Sequence, residues 1–147
     1  DVSRKLGEDI QVGRAGRGAA FGDIDNDGDI DVLVMNMNDS PSLFRLDSSG
    51  DHHWVMFRLR GHESNRDGIG ARITLTAGEM TQVWEVKRTV SIFSASDPRA
   101  HFGLGHTKTI EKVQVHWPSG TVQEFSDVDV DQHYLVDEKR GIKEEFE

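Results

Sequence analysis

The chain has 147 residues, a formal charge of −9 at pH 7, seven histidines and no cysteine. That length suits one ordinary domain or two small ones, and the missing cysteines exclude a disulfide framework, a thiolate zinc site and a cysteine nucleophile. The acidic balance lacks the basic face that nucleic acid requires, no run approaches the roughly 20 apolar residues of a membrane span, and DVSRKLGEDI at the start has no signal-peptide pattern. A divalent cation is the partner that this charge favours.

Fifteen glycines, 7% aromatics and short apolar runs punctuated by Gly, Asn, Asp and Ser predict an all-β chain. Residues 1–17 read as an N-terminal extension. Three short strands follow: GAAFG before an aspartate-rich loop, DVLVMNM after it, and SLFRLD beyond a turn at Asp39, Ser40 and Pro41. Val32, Leu33, Val34 and Met35 are continuously apolar, which predicts cover on both faces of that strand. From His53 the pattern alternates, with Val55, Phe57 and Leu59 on one side and Met56, Arg58 and Arg60 on the other. ARITLTA continues the alternation, and Ala77, Gly78 and Glu79 predict a hairpin into MTQVWEVKRTV. TIEKVQVHW with Val113, Val115 and Trp117 inward, TVQEF after a Pro118, Ser119, Gly120 turn, and HYLVD complete the strands. The expected organisation is a small sheet around the aspartate-rich loop over 18–50, joined to an antiparallel β-sandwich or barrel over 51–137. A charged tail, 138–147, is expected to fray or form a short helix.

The stretch DIDNDGDID, residues 23–31, puts five aspartates into nine positions. At a spacing of ~4 Å each like-charge pair costs about 1 kcal/mol even in water, so an offsetting charge is expected. Asp23, Asp25 and Asp27 occupy loop positions 1, 3 and 5, Gly28 position 6, Asp29 position 7 and Asp31 position 9. Alternate carboxylates converge, and glycine permits the turn that aims the Asp29 carbonyl inward. Hard oxygen donors favour Ca2+ over zinc or copper, and magnesium prefers fewer protein ligands. The plain alternative is an acidic turn, since Asp and Asn are ordinary turn formers.

An EF-hand would need a bidentate Glu at position 12, where this chain has Val34. Together with Phe21-Gly22 before it and the apolar strand after it, the loop instead resembles the calcium loop of integrin-type FG-GAP (VCBS-like) repeats. In that family the metal sits between two propeller strands and the ninth-position aspartate closes the site, so the resemblance implies that the sheet over 18–50 is a single propeller-blade-like sheet with a calcium loop closed by Asp31. Further on, SNRDGIGARI at 64–73, SDPRAHFGLG at 96–105 and VQVHWPSG at 113–120 resemble the ASPIC/UnbV family. That family follows FG-GAP-like repeats in cartilage acidic protein and in many bacterial exported proteins. The family's Gly- and Ser-rich segment ahead of the SD motif is replaced here by TVSIFSA.

SNRDGIGAR is not followed by a helix that would aim a dipole at phosphate, so it reads as a structural turn, with unusual backbone angles at Gly68 and Gly70 and with Asn65 and Asp67 bonding nearby amides. Asp97, Pro98 and Arg99 read as a turn before a strand. No HExxH is present, and the histidines read as surface or satisfied residues. Arg58, Arg60 and Arg72 are candidates for one basic sheet face. No catalytic or organic-cofactor residues are legible, so the expectation is a nonenzymatic, calcium-stabilised extracellular or cell-surface module for adhesion, matrix or surface assembly. Its expected partners are a glycan or an extracellular protein, with homo-oligomers or filaments formed through sheet edges. The alternative is a carbohydrate-binding or accessory module of an exported enzyme that stacks sugars on Trp54, Trp84 or Trp117, although core packing accounts for those residues more simply.

Overall fold

A computed structural model describes residues 7–48, 50–91 and 94–145. The first six residues of the N-terminal extension, the IF of TVSIFSA and the last two residues of the charged tail lie outside the described residues. In chain order the strands are β1 Gly16–Gly22, β2 Asp31–Asn36, β3 Ser42–Phe44, β4 His53–Arg60, β5 Arg72–Ala77, β6 Met80–Glu85, β7 Thr89–Ser91, β8 Ser94–Ala95, β9 Ala100–Gly105, β10 Lys112–His116, β11 Val122–Phe125, β12 Gln132–Asp137 and β13 Gly141–Glu144. The chain is all-β, as its composition predicts. It divides into two compact units, Asp1–Ser48 with Thr89–Asp97, and Ser49–Arg88 with Pro98–Glu147. Thr89–Asp97 thus groups with the aspartate-loop sheet rather than with the strands that flank it in sequence.

The first unit holds an antiparallel sheet in the order β1-β2-β3, with Ala20, Leu33 and Leu43 abreast and Phe21, Val32 and Phe44 abreast. The β2–β3 turn forms because Asn38 accepts φ +57° and the Asn36 amide donates to Ser40 O at 2.8 Å and Ser42 Oγ at 2.9 Å. The apolar run of β2 is not covered on both faces: Leu33 remains 36% exposed and Met35 48%. A continuous apolar run reports what a strand is able to bury, whereas burial itself needs a second layer against each face.

The second unit is an open sandwich of two four-stranded sheets, β11-β10-β5-β6 and β13-β12-β4-β9, and not a closed barrel. All of its ladders are antiparallel except β4 with β12, which run parallel. Alternation decides the inner faces: Val55, Phe57 and Leu59 of β4, Ile73 and Leu75 of β5, and Val113 and Val115 of β10 meet in one core. Each such fully buried side chain contributes about 1.5–3 kcal/mol relative to leaving it in water. Trp117 joins them at 4% exposure, its indole Nε1 donating to Gln123 Oε1 at 2.8 Å, which satisfies its one polar atom. Gln123 Nε2 in turn donates to the carbonyls of Asp137 and Glu138, linking the two sheets.

The β5–β6 connection is a hairpin, as expected, but Ala77 pairs with Met80 inside the ladder, which leaves a two-residue turn with Gly78 at φ +59° in its first position. In SNRDGIGAR, Gly68 and Gly70 adopt φ +63° and +89°, and the Asn65 side chain pairs with both N and O of Ile69. Asp67 differs from expectation and meets Arg88 Nη1 at 3.3 Å. Two further expectations are corrected. Arg58 and Arg60 lie on β4 and Arg72 on β5, in different sheets, so they do not form one basic face. The charged tail is ordered through β13, which pairs with β12 from Tyr134↔Glu144 to Asp137↔Gly141. Its turn closes because Gly141 takes φ +83° and Asp137 Oδ1 accepts the amides of Lys139 and Arg140.

Candidate metal centre

The aspartate loop joins β1 to β2, the two strands paired from Gly16↔Asn36 to Gly22↔Asp31. Its reversal uses two left-handed residues, Asn26 at φ +61° and Gly28 at φ +94°. Asp23, 3% exposed, accepts the amide of Asp27 at 3.2 Å and that of Gly28 at 2.9 Å. Asp27 Oδ1 accepts the amide of Asp29 at 2.9 Å. The carboxylates therefore shape the loop as well as lining it.

Oxygen atoms of Asp23, Asp25 and Asp27 lie within 4.8 Å of one another. Two oxygens each bound about 2.4 Å from one calcium ion can be at most about 5 Å apart, so this donor set fits a hard, oxygen-loving cation. The carboxylates of the two other loop aspartates also accept hydrogen bonds. Asp29 accepts the amide and hydroxyl of Ser48, which leaves its backbone carbonyl as the group that position 7 of such a loop offers. Asp31, 1% exposed, accepts the amides of Ile24 at 3.0 Å and Leu46 at 2.8 Å, tying the loop to the chain beyond β3.

A cation already borders the cluster. Arg45 Nη1 is 3.5 Å from Asp25 Oδ2, and the guanidinium pairs with Asp47 at 2.8 Å. The hydrogen bond and charge of Asp47, then the charge of Asp25, raise the Arg45 pKa above its ordinary value. On the other side of the loop, Asp97 N donates to Phe21 O at 2.9 Å, and Asp97 packs directly on Gly22.

A second carboxylate centre carried no legible signal in the sequence. Glu138, 6% exposed, accepts three successive amides, from His62 at 2.5 Å, Glu63 at 2.8 Å and Ser64 at 2.9 Å. It also accepts the hydroxyls of Ser64 at 2.8 Å and Ser119 at 2.7 Å. Beside it, His62 Nε2 lies 3.0 Å from Asp137 Oδ2. Burial pushes the Glu138 carboxyl up, but the bonds from His62, Ser64 and Ser119 outweigh it and hold the group down at about 2. The His62 hydrogen bond, against burial and with help from the Lys139 and Arg140 amides, holds Asp137 at about 2 as well.

The pH consequence has a definite sign. Both folded-state values lie below the ordinary 3.8 of Asp and 4.5 of Glu, so the stabilisation is complete above about pH 5 and is lost as pH falls toward about 2. Melting temperatures taken in steps from pH 7 to pH 2 should be flat at first and then fall in that acid window. In Glu138→Gln the fall should be shallower; a slope equal to the parent's would mean that this carboxyl is not depressed.

The tryptophans and histidines divide among packing roles. Trp54 stacks on His101 and meets His133 edge-on. His52 packs on His106, and His53 Nδ1 is 2.6 Å from Asp131 Oδ2.

A family model described as ASPIC and UnbV matches residues 61–143, more than half of the chain. The chain belongs to the ASPIC and UnbV family. No curated protein matches it. The matched ASPIC and UnbV segment opens at Gly61, immediately before the three amides that Glu138 receives, and closes within β13, beyond Glu138 itself. The family's sequence span is thus cross-linked near its two ends by one buried carboxylate. The aspartate loop lies upstream of that span.

Proposed function

We propose that this ASPIC and UnbV chain is a noncatalytic, calcium-stabilised β module that acts outside the cell or at its surface in adhesion, matrix or surface assembly, binding a glycan or an extracellular protein. The observation that carries the reading is the convergence of Asp23, Asp25 and Asp27 within 4.8 Å in a loop with FG-GAP-like spacing. When bound, calcium would supply charge neutralisation and a fixed crossing point for the loop; Asp23, Asp25 and Asp27 would hold it through side-chain oxygens, Asp29 through its carbonyl, and Asp31 would close the site from the ninth position. Extracellular modules of this kind bind calcium at roughly 10⁻⁴ to 10⁻³ M, a range filled outside cells and left empty in the cytosol. Isothermal titration of metal-stripped protein should give one calcium site per chain, with weaker binding of magnesium and loss of heat in Asp25→Asn. Absence of calcium heat in properly folded protein would overturn the reading.

A carbohydrate-binding role is the second reading, favoured by Trp84, which remains 37% exposed on the edge strand β6. Selective sugar binding on a glycan array that disappears in Trp84→Ala would favour this role over the first.

A further inference from the structure

The outer edge of β1 is covered by an unusual partner. Ala19 N donates to Ser94 Oγ and Phe21 N to Ser96 Oγ, each at 3.2 Å, while Asp97 N donates to Phe21 O at 2.9 Å. A neighbouring strand would offer backbone carbonyls to those two amides; here they reach serine hydroxyls at the long end of the hydrogen-bond range. Sheet edges are commonly blocked in this manner against intermolecular pairing. The fit is close at one end, because a Cβ on Gly22 would stand 2.9 Å from Asp97 Cβ.

We infer that β1 is a latent strand-addition site held shut by Ser94–Asp97, and that the occupant it fits is β3 of a second copy of this chain. β3 is the opposite edge of the same sheet. Both β1 and β3 run antiparallel to β2, so they share one direction. A copy repeated by translation therefore lays its β3 parallel to the uncovered β1. In that arrangement Leu43 continues the Ala20 and Leu33 row, and Phe44 continues the Phe21 and Val32 row. Arg45 of the added copy then follows toward the start of the aspartate loop, opposite charge facing opposite charge. Leu43, 56% exposed, and Phe21, 46% exposed, are the side chains such pairing would bury. Because the two edges differ, the contact is heterologous and open-ended, giving a filament rather than a closed dimer. The serine cap decides whether it forms. This goes beyond the calcium reading and does not rest on it.

The test uses the full chain and removes the cap by steric means. Gly22→Ala places a methyl against Asp97, and Asp97→Gly in the same chain removes the opposing atom. Hydrogen exchange at Ala19 and Phe21 should rise about tenfold in Gly22→Ala, the equivalent of one lost hydrogen bond, while Leu33 stays protected. Light scattering should show a single chain for the parent and a mass that grows with concentration for Gly22→Ala. Gly22→Ala with Asp97→Gly should restore both readings, and adding Leu43→Lys to Gly22→Ala should return the mass to one chain. If Leu33 also loses protection, Ser94→Ala with Ser96→Ala removes the two acceptors without adding an atom and is read in the same way. Undiminished protection of Ala19 and Phe21 would overturn the cap. Opened amides with a constant single-chain mass would overturn the strand-addition site, and association undisturbed by Leu43→Lys would overturn β3 as its occupant.

Discussion

Calcium added to metal-stripped protein should raise its melting temperature, and chelator should reverse the rise. The reason is mass action: a ligand that binds only the native state stabilises it by RT ln(1 + [L]/Kd), about 2.7 kcal/mol at a hundredfold excess over Kd. Asp25→Asn and Asp27→Asn should remove most of the increment, because they delete charge from the converging oxygens. Asp31→Ala should act differently. Its carboxylate holds the amides of Ile24 and Leu46 while 1% exposed, so the variant should melt lower even without calcium. Asp97→Ala should preserve the calcium increment, since Asp97 is outside the Asp23, Asp25, Asp27 cluster. A melting temperature that does not change between calcium and chelator, in protein verified to be metal-free, would sink the calcium proposal.

Glu138→Ala should destabilise the second unit by about 3 to 5 kcal/mol, measured by urea unfolding, because several buried donors lose a charged acceptor at once. Three amides, two hydroxyls and the ends of the family segment depend on that one carboxylate. Glu138→Gln should cost less than Glu138→Ala at pH 7, since an amide carbonyl still accepts from some of the donors while its NH2 group meets others. At pH 2 about half of the parent carboxyl is protonated, so the gap between parent and Glu138→Gln should narrow. A loss below about 1 kcal/mol for Glu138→Ala would mean that water replaces the carboxylate at little cost.

Much of the second unit was legible because strand alternation is a local property. Val113, Val115 and Trp117 are two residues apart, and a period of two sends all three to one face whatever the partner strand is. Gly78 and Gly141 likewise announce turns through conformations that other residues reach at a cost. The aspartate loop was legible for the same reason, since its donors fall within nine consecutive residues.

What failed to show in the sequence involved partners distant along the chain. Glu138 is one acidic residue in the run DEKRG, and nothing local marks it as buried; its donors come from residues more than 70 positions earlier and from Ser119. The tail sequence predicts fraying or a short helix because β13 has no apolar alternation of its own, only Ile142 packed against the core; its order comes from the β12 ladder. Arg58, Arg60 and Arg72 each fit an outward position, but which sheet a strand joins is decided by pairing, and β4 and β5 join different ones.

The sequence by itself determined the all-β class, the inward faces of β4, β5 and β10, the hairpin at Gly78 and the spacing of the aspartate donors, because each depends on backbone preferences and periodicity within a few residues. Only the tertiary structure decided that Glu138 anchors the family segment, that Asp29 and Asp31 turn their carboxylates to Ser48, Ile24 and Leu46, and that Ser94–Asp97 caps β1. Those contacts close loops of very different lengths, and loop-closure entropy grows only as the logarithm of length. Distant partners therefore cost little more than near ones, and the hydrogen-bonding needs of buried polar groups select among them.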